Sequence, residues 1–238
     1  MCLAIKASVD FPYGASDMDR NVLNQRITRL TTLQNSGVVF RNGLATYERA
    51  KAFATKAHMG QMYGNKPSTY HLEQVENVLI RFDYCSFRMR TAAWLHDTVE
   101  NCDATMEDIK REFPGFVASV VDAITSVPGE NREQCNSAMY LRIKERGTNA
   151  VVLKLADRIA NVEETILTGD NTFSVCHEEY SGFRNALYES KNADEMWAHM
   201  DALNEIGTEA LNRRHLTAFA NSISSCNQAS MLQIDGVS

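Results

Sequence analysis

The chain has 238 residues, of which 44% are hydrophobic and 23% charged, so it is long enough to bury a full hydrophobic core. Its formal net charge of -6 argues against binding to nucleic acid polymers, because no basic stripe is available to displace counterions from a phosphate backbone. No window approaches the roughly 18 apolar residues of a membrane helix, and the residues after Met1 lack the apolar run of a secretion signal, so we expect neither membrane insertion nor export.

The six cysteines are scattered along the sequence and include no C-x-x-C pair. This spacing disfavours both a zinc knuckle and a disulfide framework. Reduced thiols, and therefore a cytoplasmic location, fit the pattern best.

Few glycines and prolines, together with long segments of helical period, favour an all-α architecture. Apolar residues at spacings of three and four predict a first helix over Asp17–Leu33, a second over about Ala45–Met59 and a third with its apolar face from Leu72 to Phe82. The second helix is expected to stop at Gly60, and Gly64–Ser68 is predicted to be a loop.

The central stretch of the sequence is Ala92–Asn101, an apolar run that ends in polar residues. On one continuous helix His96 and Glu100 are four residues apart and Asp97 and Glu100 three apart, so all three side chains are expected to reach one small volume. Burying such groups without partners is costly, and a metal ion is one economical explanation. The alternative is a helix C-terminus whose polar residues face water.

Helical period also predicts the remaining elements. Thr105–Asp108 has the pattern of a capping box, and Val151–Asn161 is nearly apolar, which indicates a central buried helix. The predicted helices are Thr105–Phe113, Phe116–Val127, about Gln134–Arg146, Val151–Asn161, Phe173–Ser190 and Ala193–Leu211.

Three predicted helices bring His71, the pair His96-Asp97 and Asp157 towards a shared core. Two imidazoles and two carboxylates suit a divalent ion such as Mn²⁺, Fe²⁺ or Zn²⁺ better than calcium, whose sites consist of oxygen ligands. Two alternatives stay open at this point. An inward histidine is often a satisfied core residue, and Asp157 could form an ion pair with a neighbouring basic residue, either Lys154 or Arg158.

The order of the segments Ala54–Gln61, Pro67–His71, Ala93–Asn101 and Lys154–Asn161 resembles the HD hydrolase domain of the RelA/SpoT family. The resemblance is particularly close to the small stand-alone alarmone hydrolases of the Mesh1 type. It covers about Thr46–Leu167, roughly half of the chain.

This resemblance implies an all-α HD fold, a single Mn²⁺ ion, and removal of the 3′-pyrophosphate from ppGpp or pppGpp by a metal-activated water. The metal ligands it implies are His71, His96, Asp97 and Asp157. By the same matching, Glu100 would orient or deprotonate the attacking water and Asn161 would contact the nucleotide.

The chain departs from this family pattern at three places. Asn101 stands where the family has an aspartate beside the catalytic glutamate, and an amide cannot serve as a base. The family's basic loop is replaced by Met62–Lys66, in which Tyr63 is expected to stack on a base and Lys66 to meet a phosphate. Glu164 replaces a small hydroxylated residue and adds negative charge.

Three functional hypotheses stay open besides ppGpp hydrolysis. The first is an HD phosphohydrolase for another nucleotide, such as a dNTP, a nucleoside monophosphate, NADPH or a signalling nucleotide. The second is a catalytically weakened HD module that binds a nucleotide or a protein partner. The third, a purely structural helical protein, leaves four inward polar residues unexplained.

The predicted organisation has four parts along the chain. They are an N-terminal helical extension over 1–44, an HD hydrolase domain over 45–168, a C-terminal helical extension packed on it over 169–220, and a tail over 221–238. The extensions either enlarge the core or form a homo-oligomer interface, and the sequence does not choose between these two arrangements.

Overall fold

The structure, a computed structural model, describes residues 37–126, 129, 131–169, 172–189 and 191–213. The chain divides into two compact units, residues 1–45 and 46–238, and every candidate site residue belongs to the second unit. The predicted helix over Asp17–Leu33 and the predicted tail over 221–238 lie outside the described residues.

The described residues are almost entirely helical, which confirms the all-α prediction. In chain order the elements are α1 (Gly37–Ala57), β1 (Met62–Tyr63), β2 (Lys66–Pro67), α2 (Thr69–Arg81), α3 (Phe87–Leu95), α4 (Thr98–Asn101), α5 (Met106–Glu112), α6 (Gly115–Ile124), α7 (Arg132–Arg146), α8 (Thr148–Thr168), α9 (Phe173–Leu187) and α10 (194–213).

The structure corrects two predictions in the first third of the described chain. Helix α1 begins at Gly37, eight residues before the predicted start, and residues 41–45 of this part are mostly exposed, so they show no apolar helical period. The segment predicted as a loop forms a short antiparallel hairpin, in which Tyr63 pairs with Lys66. Gly64 makes the turn with a φ of 61°, a conformation that glycine adopts without steric cost.

The prediction of one continuous helix over Ala92–Asn101 is wrong. Helix α3 ends at Leu95, and the short helix α4 begins at Thr98. At this break the ring nitrogen Nδ1 of His96 bonds the carbonyl of Ala93 at 2.7 Å, and the hydroxyl of Thr98 donates to the carbonyl of Leu95 at 2.7 Å. These side chains satisfy carbonyls that the end of a helix leaves without backbone partners.

Helix α8 is the central element, as its nearly apolar sequence predicted. It packs against α2, α3, α6, α7 and α9, and it buries Val152, Leu155 and Ile159 completely. It ends at Gly169, which adopts a left-handed conformation with a φ of 75°. The predicted capping box of α5 is also confirmed, since the side chain of Thr105 and the side chain of Asp108 each accept from the other's backbone N–H.

A buried carboxylate holds α2 in place against α1 and α3. Glu76 is 6% exposed, and its carboxylate accepts hydrogen bonds from Tyr47 at 2.7 Å and from the indole of Trp94 at 2.6 Å. Arg90 donates to the same carboxylate and balances its charge. A buried charge is stable only when it is paired and hydrogen-bonded in this way, so the network fixes the helix that carries His71.

Helices α9 and α10 enlarge the core of the second unit. The ring of Phe183 lies 5.7 Å from that of Tyr140 on α7 and 5.3 Å from that of Trp197 on α10. Arg158 on α8 adds a salt bridge of 2.8 Å to Glu179 on α9. Among the described helices, none combines the length and the apolar character that crossing a membrane requires.

Candidate functional site

Four polar side chains converge where α2, α8 and the break between α3 and α4 meet. The Nε2 atoms of His71 and His96 lie 3.3 Å apart. An oxygen of Asp157 lies 3.1 Å from Nε2 of His71, and an oxygen of Asp97 lies 3.2 Å from Nε2 of His96. The structure therefore brings together the four residues that the sequence proposed as metal ligands.

The backbone sets the orientation of His96. Its Nδ1 lies 2.7 Å from the carbonyl oxygen of Ala93, which can only accept, so Nδ1 carries the proton. Nε2 therefore points with its lone pair towards the other three side chains whenever the ring is neutral. A hydrogen bond from the second ring nitrogen is the usual device that orients a metal-binding histidine.

Asp157 divides its two oxygens between different partners. One oxygen faces the imidazoles and accepts from the amide of Asn161 at 2.8 Å, while the other is 2.9 Å from the ammonium of Lys154. Burial raises the pKa of Asp157, but Lys154 and the two imidazoles outweigh this effect and hold it well below the usual range. The ion pair with Lys154 thus exists alongside the histidine contacts, whereas Arg158 pairs with Glu179.

The carboxylates also act on His96. Burial lowers the pKa of this imidazole, yet the charges of Asp97 and Asp157 outweigh burial and raise the pKa to about 9. Without a metal ion, a proton therefore neutralises part of the cluster's negative charge. A divalent cation would supply the same compensation more completely.

The donor set fits a divalent metal. His71, His96 and Asp97 offer ligand atoms that all lie within 4.8 Å of one another, and Asp157 is 3.7 Å from His96. Two imidazole nitrogens with carboxylate oxygens are typical of Mn²⁺, Fe²⁺ or Zn²⁺ sites. Nδ1 of His71 is buried and has no hydrogen-bond partner among the described residues, so packing alone holds this side of the ring.

Two residues of the cluster, His71 and Asp97, line a cavity of about 450 Å³. This volume is within the range of small-molecule sites. The lining residues are His58, Gln61, Met62, Tyr63, Ser68, His71, Asp97 and Asn101.

Glu100 and Asn101 occupy the two neighbouring positions that the family resemblance assigns to the catalytic site, and they lie in different environments. Asn101 lines the cavity, but Glu100 is exposed and its carboxylate accepts a hydrogen bond from the backbone N–H of Ser126. Glu100 therefore does not line the cavity beside Asp97 in this structure, because the break after Leu95 interrupts the helix on which the two side chains were expected to align with His96.

The residues predicted to contact substrate are held by other side chains. Tyr63 lines the cavity, and its hydroxyl donates to Oδ1 of Asn161 at 2.8 Å. Lys66 forms an ion pair of 3.0 Å with Glu164, which also accepts from the hydroxyl of Tyr70 at 2.9 Å. Glu164 therefore neutralises the lysine beside the site.

Four residues that line the cavity were not predicted as site residues from the sequence. They are His58, Gln61, Met62 and Ser68. His58 is 4% exposed, and its Nδ1 contacts Gln61 at 2.8 Å and the thiol of Cys102 at 3.3 Å. Both His58 and Gln61 belong to the segment that carries the family resemblance, and this resemblance was the available signal, because the burial of His58 is not visible in the sequence.

Comparison with known sequences identifies relatives of this chain. The chain is 29% identical over 118 residues to the guanosine-3′,5′-bis(diphosphate) 3′-pyrophosphohydrolase of Vibrio cholerae, a match that covers 46% of this chain and 16% of the relative. It is 26% identical over 130 residues to the guanosine-3′,5′-bis(diphosphate) 3′-pyrophosphohydrolase MESH1 of Drosophila melanogaster, covering 51% of this chain and 73% of the relative.

A GTP pyrophosphokinase of Streptomyces coelicolor is 29% identical over 124 residues, which make up 50% of this chain and 14% of the relative. The chain thus spans less than a fifth of the length of these two bacterial relatives. These matches confirm the resemblance to the HD hydrolases of the RelA/SpoT family.

A solved structure gives the same fold. It belongs to a metazoan ortholog of SpoT, described as hydrolysing ppGpp, and it aligns with a TM-score of 0.53 at 20% identity over 69% of this chain and 95% of its own. In addition, the HD domain family matches residues 50–171, just over half of the chain, and this range contains all four side chains of the cluster. The chain therefore belongs to the HD-domain family.

Proposed function

We propose that this protein is a metal-dependent nucleotide phosphohydrolase that removes the 3′-pyrophosphate of ppGpp or pppGpp. The observation that carries the proposal is the convergence of two imidazoles and two carboxylates beside a cavity of about 450 Å³, which His71 and Asp97 line. The names of the Vibrio and Drosophila relatives support the choice of substrate.

His71, His96, Asp97 and Asp157 would hold the ion, which we propose to be Mn²⁺, with Fe²⁺ and Zn²⁺ as alternatives that the same ligands accept. When bound, such an ion lowers the pKa of a coordinated water towards neutrality and stabilises charge on a phosphoryl oxygen. Ala93 and Lys154 have supporting roles, because they fix the orientation of His96 and of Asp157.

Glu100 is the group that we propose to orient or deprotonate the attacking water. It follows Asp97 by three residues, and it must leave the backbone amide of Ser126 before its carboxylate can reach the cavity. Catalytic groups often complete their hydrogen bonds only in the substrate complex. Asn101 would then contact the water or the phosphate as a neutral hydrogen-bonding group.

Attack of water on the phosphorus attached to the ribose 3′ oxygen breaks that P–O bond, so ppGpp and water give GDP and pyrophosphate. The aromatic face of Tyr63 at the cavity supplies a surface for the nucleoside. Lys66 would contact a phosphate only after its ion pair with Glu164 is broken.

The test is hydrolysis by the purified full chain, freed of metal and reloaded with Mn²⁺. We expect Mn²⁺-dependent release of pyrophosphate from ppGpp, and no release by the Asp157→Ala variant. A panel containing dNTPs, nucleoside monophosphates and NADPH distinguishes the substrate. Hydrolysis of one of these nucleotides with ppGpp left intact would overturn the proposed substrate but not the proposed metal-dependent hydrolysis. Tight binding of ppGpp without hydrolysis of any nucleotide would overturn the assignment as an enzyme.

A further inference from the structure

The hairpin β1–β2 is attached to α8 at two points. The hydroxyl of Tyr63 donates to Asn161, and the ammonium of Lys66 pairs with Glu164. Tyr63 and Lys66 are register partners across the hairpin, and Asn161 and Glu164 are three residues apart, on one face of α8. The hairpin is therefore held in a defined orientation against the helix that carries Asp157.

From Tyr63 a chain of hydrogen bonds leads to the metal cluster. Oδ1 of Asn161 accepts from Tyr63 at 2.8 Å, which turns the NH₂ group of the same amide towards Asp157, where it donates to Oδ1 at 2.8 Å. That oxygen of Asp157 is also the one 3.1 Å from Nε2 of His71. The hydroxyl of Tyr63 thus determines which end of the Asn161 amide faces the carboxylate.

The ring of Tyr63 makes a second, independent contact with the cluster. It stacks on the imidazole of His71 with 5.1 Å between the ring centroids and 22° between the planes. This contact acts on a ring whose Nδ1 has no hydrogen-bond partner among the described residues.

We propose that Tyr63 is a positioning residue for the metal centre: its hydroxyl, acting through Asn161, holds Asp157, and its ring holds His71, so that the hairpin sets the affinity of the cluster for a divalent cation. This inference rests on the metal centre of the proposed function and not on its nucleotide. It also gives Asn161 a role towards Asp157 in addition to the nucleotide contact that the family resemblance implies.

The test is the dissociation constant for Mn²⁺, measured by calorimetry on the full chain without nucleotide. Tyr63→Phe keeps the ring and removes the hydroxyl, and we expect it to weaken Mn²⁺ binding about tenfold, the scale typical of groups that orient metal ligands. Tyr70→Phe is the matched control: it removes a neighbouring hydroxyl that donates to Glu164, and Mn²⁺ affinity should stay within about twofold of the wild type.

A double-mutant cycle separates the proposed route from a general loss of packing. In an Asn161→Ala background, Tyr63→Phe should change the Mn²⁺ affinity by less than about twofold, because the hydroxyl then has no amide through which to act. Wild-type affinity in Tyr63→Phe, or an equal loss with and without Asn161, would overturn the proposal. Failure of the wild type to bind Mn²⁺ would overturn it too, whereas Mn²⁺ binding without hydrolysis of ppGpp would overturn only the proposed function.

Discussion

The backbone carbonyl of Asn101 accepts a hydrogen bond from the side-chain amide of Gln61 at 2.6 Å. This contact ties the end of α4 to the segment before the hairpin, and both residues line the cavity. The neighbouring acid, Glu100, is bound to the backbone of Ser126 instead. Of these two neighbouring residues, Asn101, which lines the cavity, is neutral, whereas Glu100, which carries the carboxylate, does not line it.

The first prediction concerns this division. Asn101→Asp places a carboxylate at the cavity, and we expect kcat for ppGpp to rise about tenfold, less than the roughly 10²–10⁴-fold typical of general-base catalysis, because Glu100 already supplies a base. Glu100→Gln removes the proposed water-activating group and should lower kcat by about a hundredfold while KM changes little. Steady-state kinetics with Mn²⁺ check both effects. Unchanged kcat in Glu100→Gln would contradict the role of this residue.

The second prediction concerns the ion pair between Lys66 and Glu164. Glu164→Gln frees the lysine and removes a negative charge beside an anionic substrate, so KM for ppGpp should fall about threefold, which is the modest effect expected of a pair whose lysine is 37% exposed. The fall should shrink in about 0.5 M salt because salt screens exposed charges. Glu209→Gln is the control. It removes the same charge from a weak pair, in which Arg213 lies 4.0 Å away and both side chains are exposed. Equal KM values in the two variants would contradict this account.

The third prediction compares two helical glycines. A Cβ on Gly207 would overlap the ring of Phe173, which is 3% exposed and cannot move aside, whereas a Cβ on Gly182 would meet no atom within 4 Å. Gly207→Ala should therefore destabilise the protein by about 1 to 3 kcal/mol. Gly182→Ala should stabilise it by about 0.5 to 1 kcal/mol, because alanine favours the helix. Chemical denaturation measures both, and a stabilised Gly207→Ala would show that α9 and α10 do not pack in this way.

The fourth prediction is a pH dependence of stability. Burial raises the pKa of Glu163, but hydrogen bonds and charges from His199 and Arg81 outweigh burial and lower it below 4.5. A carboxyl group with a lowered folded pKa stabilises the fold above its unfolded pKa, and this contribution is lost as the pH falls through the folded value.

Glu163→Gln should therefore lower the free energy of unfolding by about 1 to 3 kcal/mol at about pH 7, the scale of hydrogen bonds to a charged group. The difference from the wild type should shrink steadily below about pH 4. Urea denaturation across this range tests the sign. A difference that stays constant with pH would mean that the ionised form of Glu163 does not carry the effect.

Much of the site could be predicted from the sequence because its side chains lie on long helices with clear apolar faces. His71 is four residues before Val75 on the buried face of α2, and Asp157 interrupts a nearly apolar helix, so both point inward by spacing alone. The capping box at Thr105 was equally readable, since it is a local pattern.

What could not be predicted depends on contacts distant in sequence. The break after Leu95 depends on side chains that bond carbonyls of the preceding turn. The helical period of the apolar residues does not indicate this break. The directions of Tyr63 and Lys66 are set by Asn161 and Glu164, which are both 98 residues away. Strands of two residues each are also too short to produce a strand pattern in the sequence.

The central claim is that this cluster uses a metal ion to remove the 3′-pyrophosphate of ppGpp. The most direct measurement is the release of GDP and pyrophosphate from ppGpp by the metal-free full chain as Mn²⁺ is added, with Asp157→Ala beside the wild type. We expect turnover that saturates with Mn²⁺ in the wild type and is absent in the variant. Wild-type protein that binds Mn²⁺ but leaves ppGpp intact, or an Asp157→Ala variant that retains full activity, would contradict the claim.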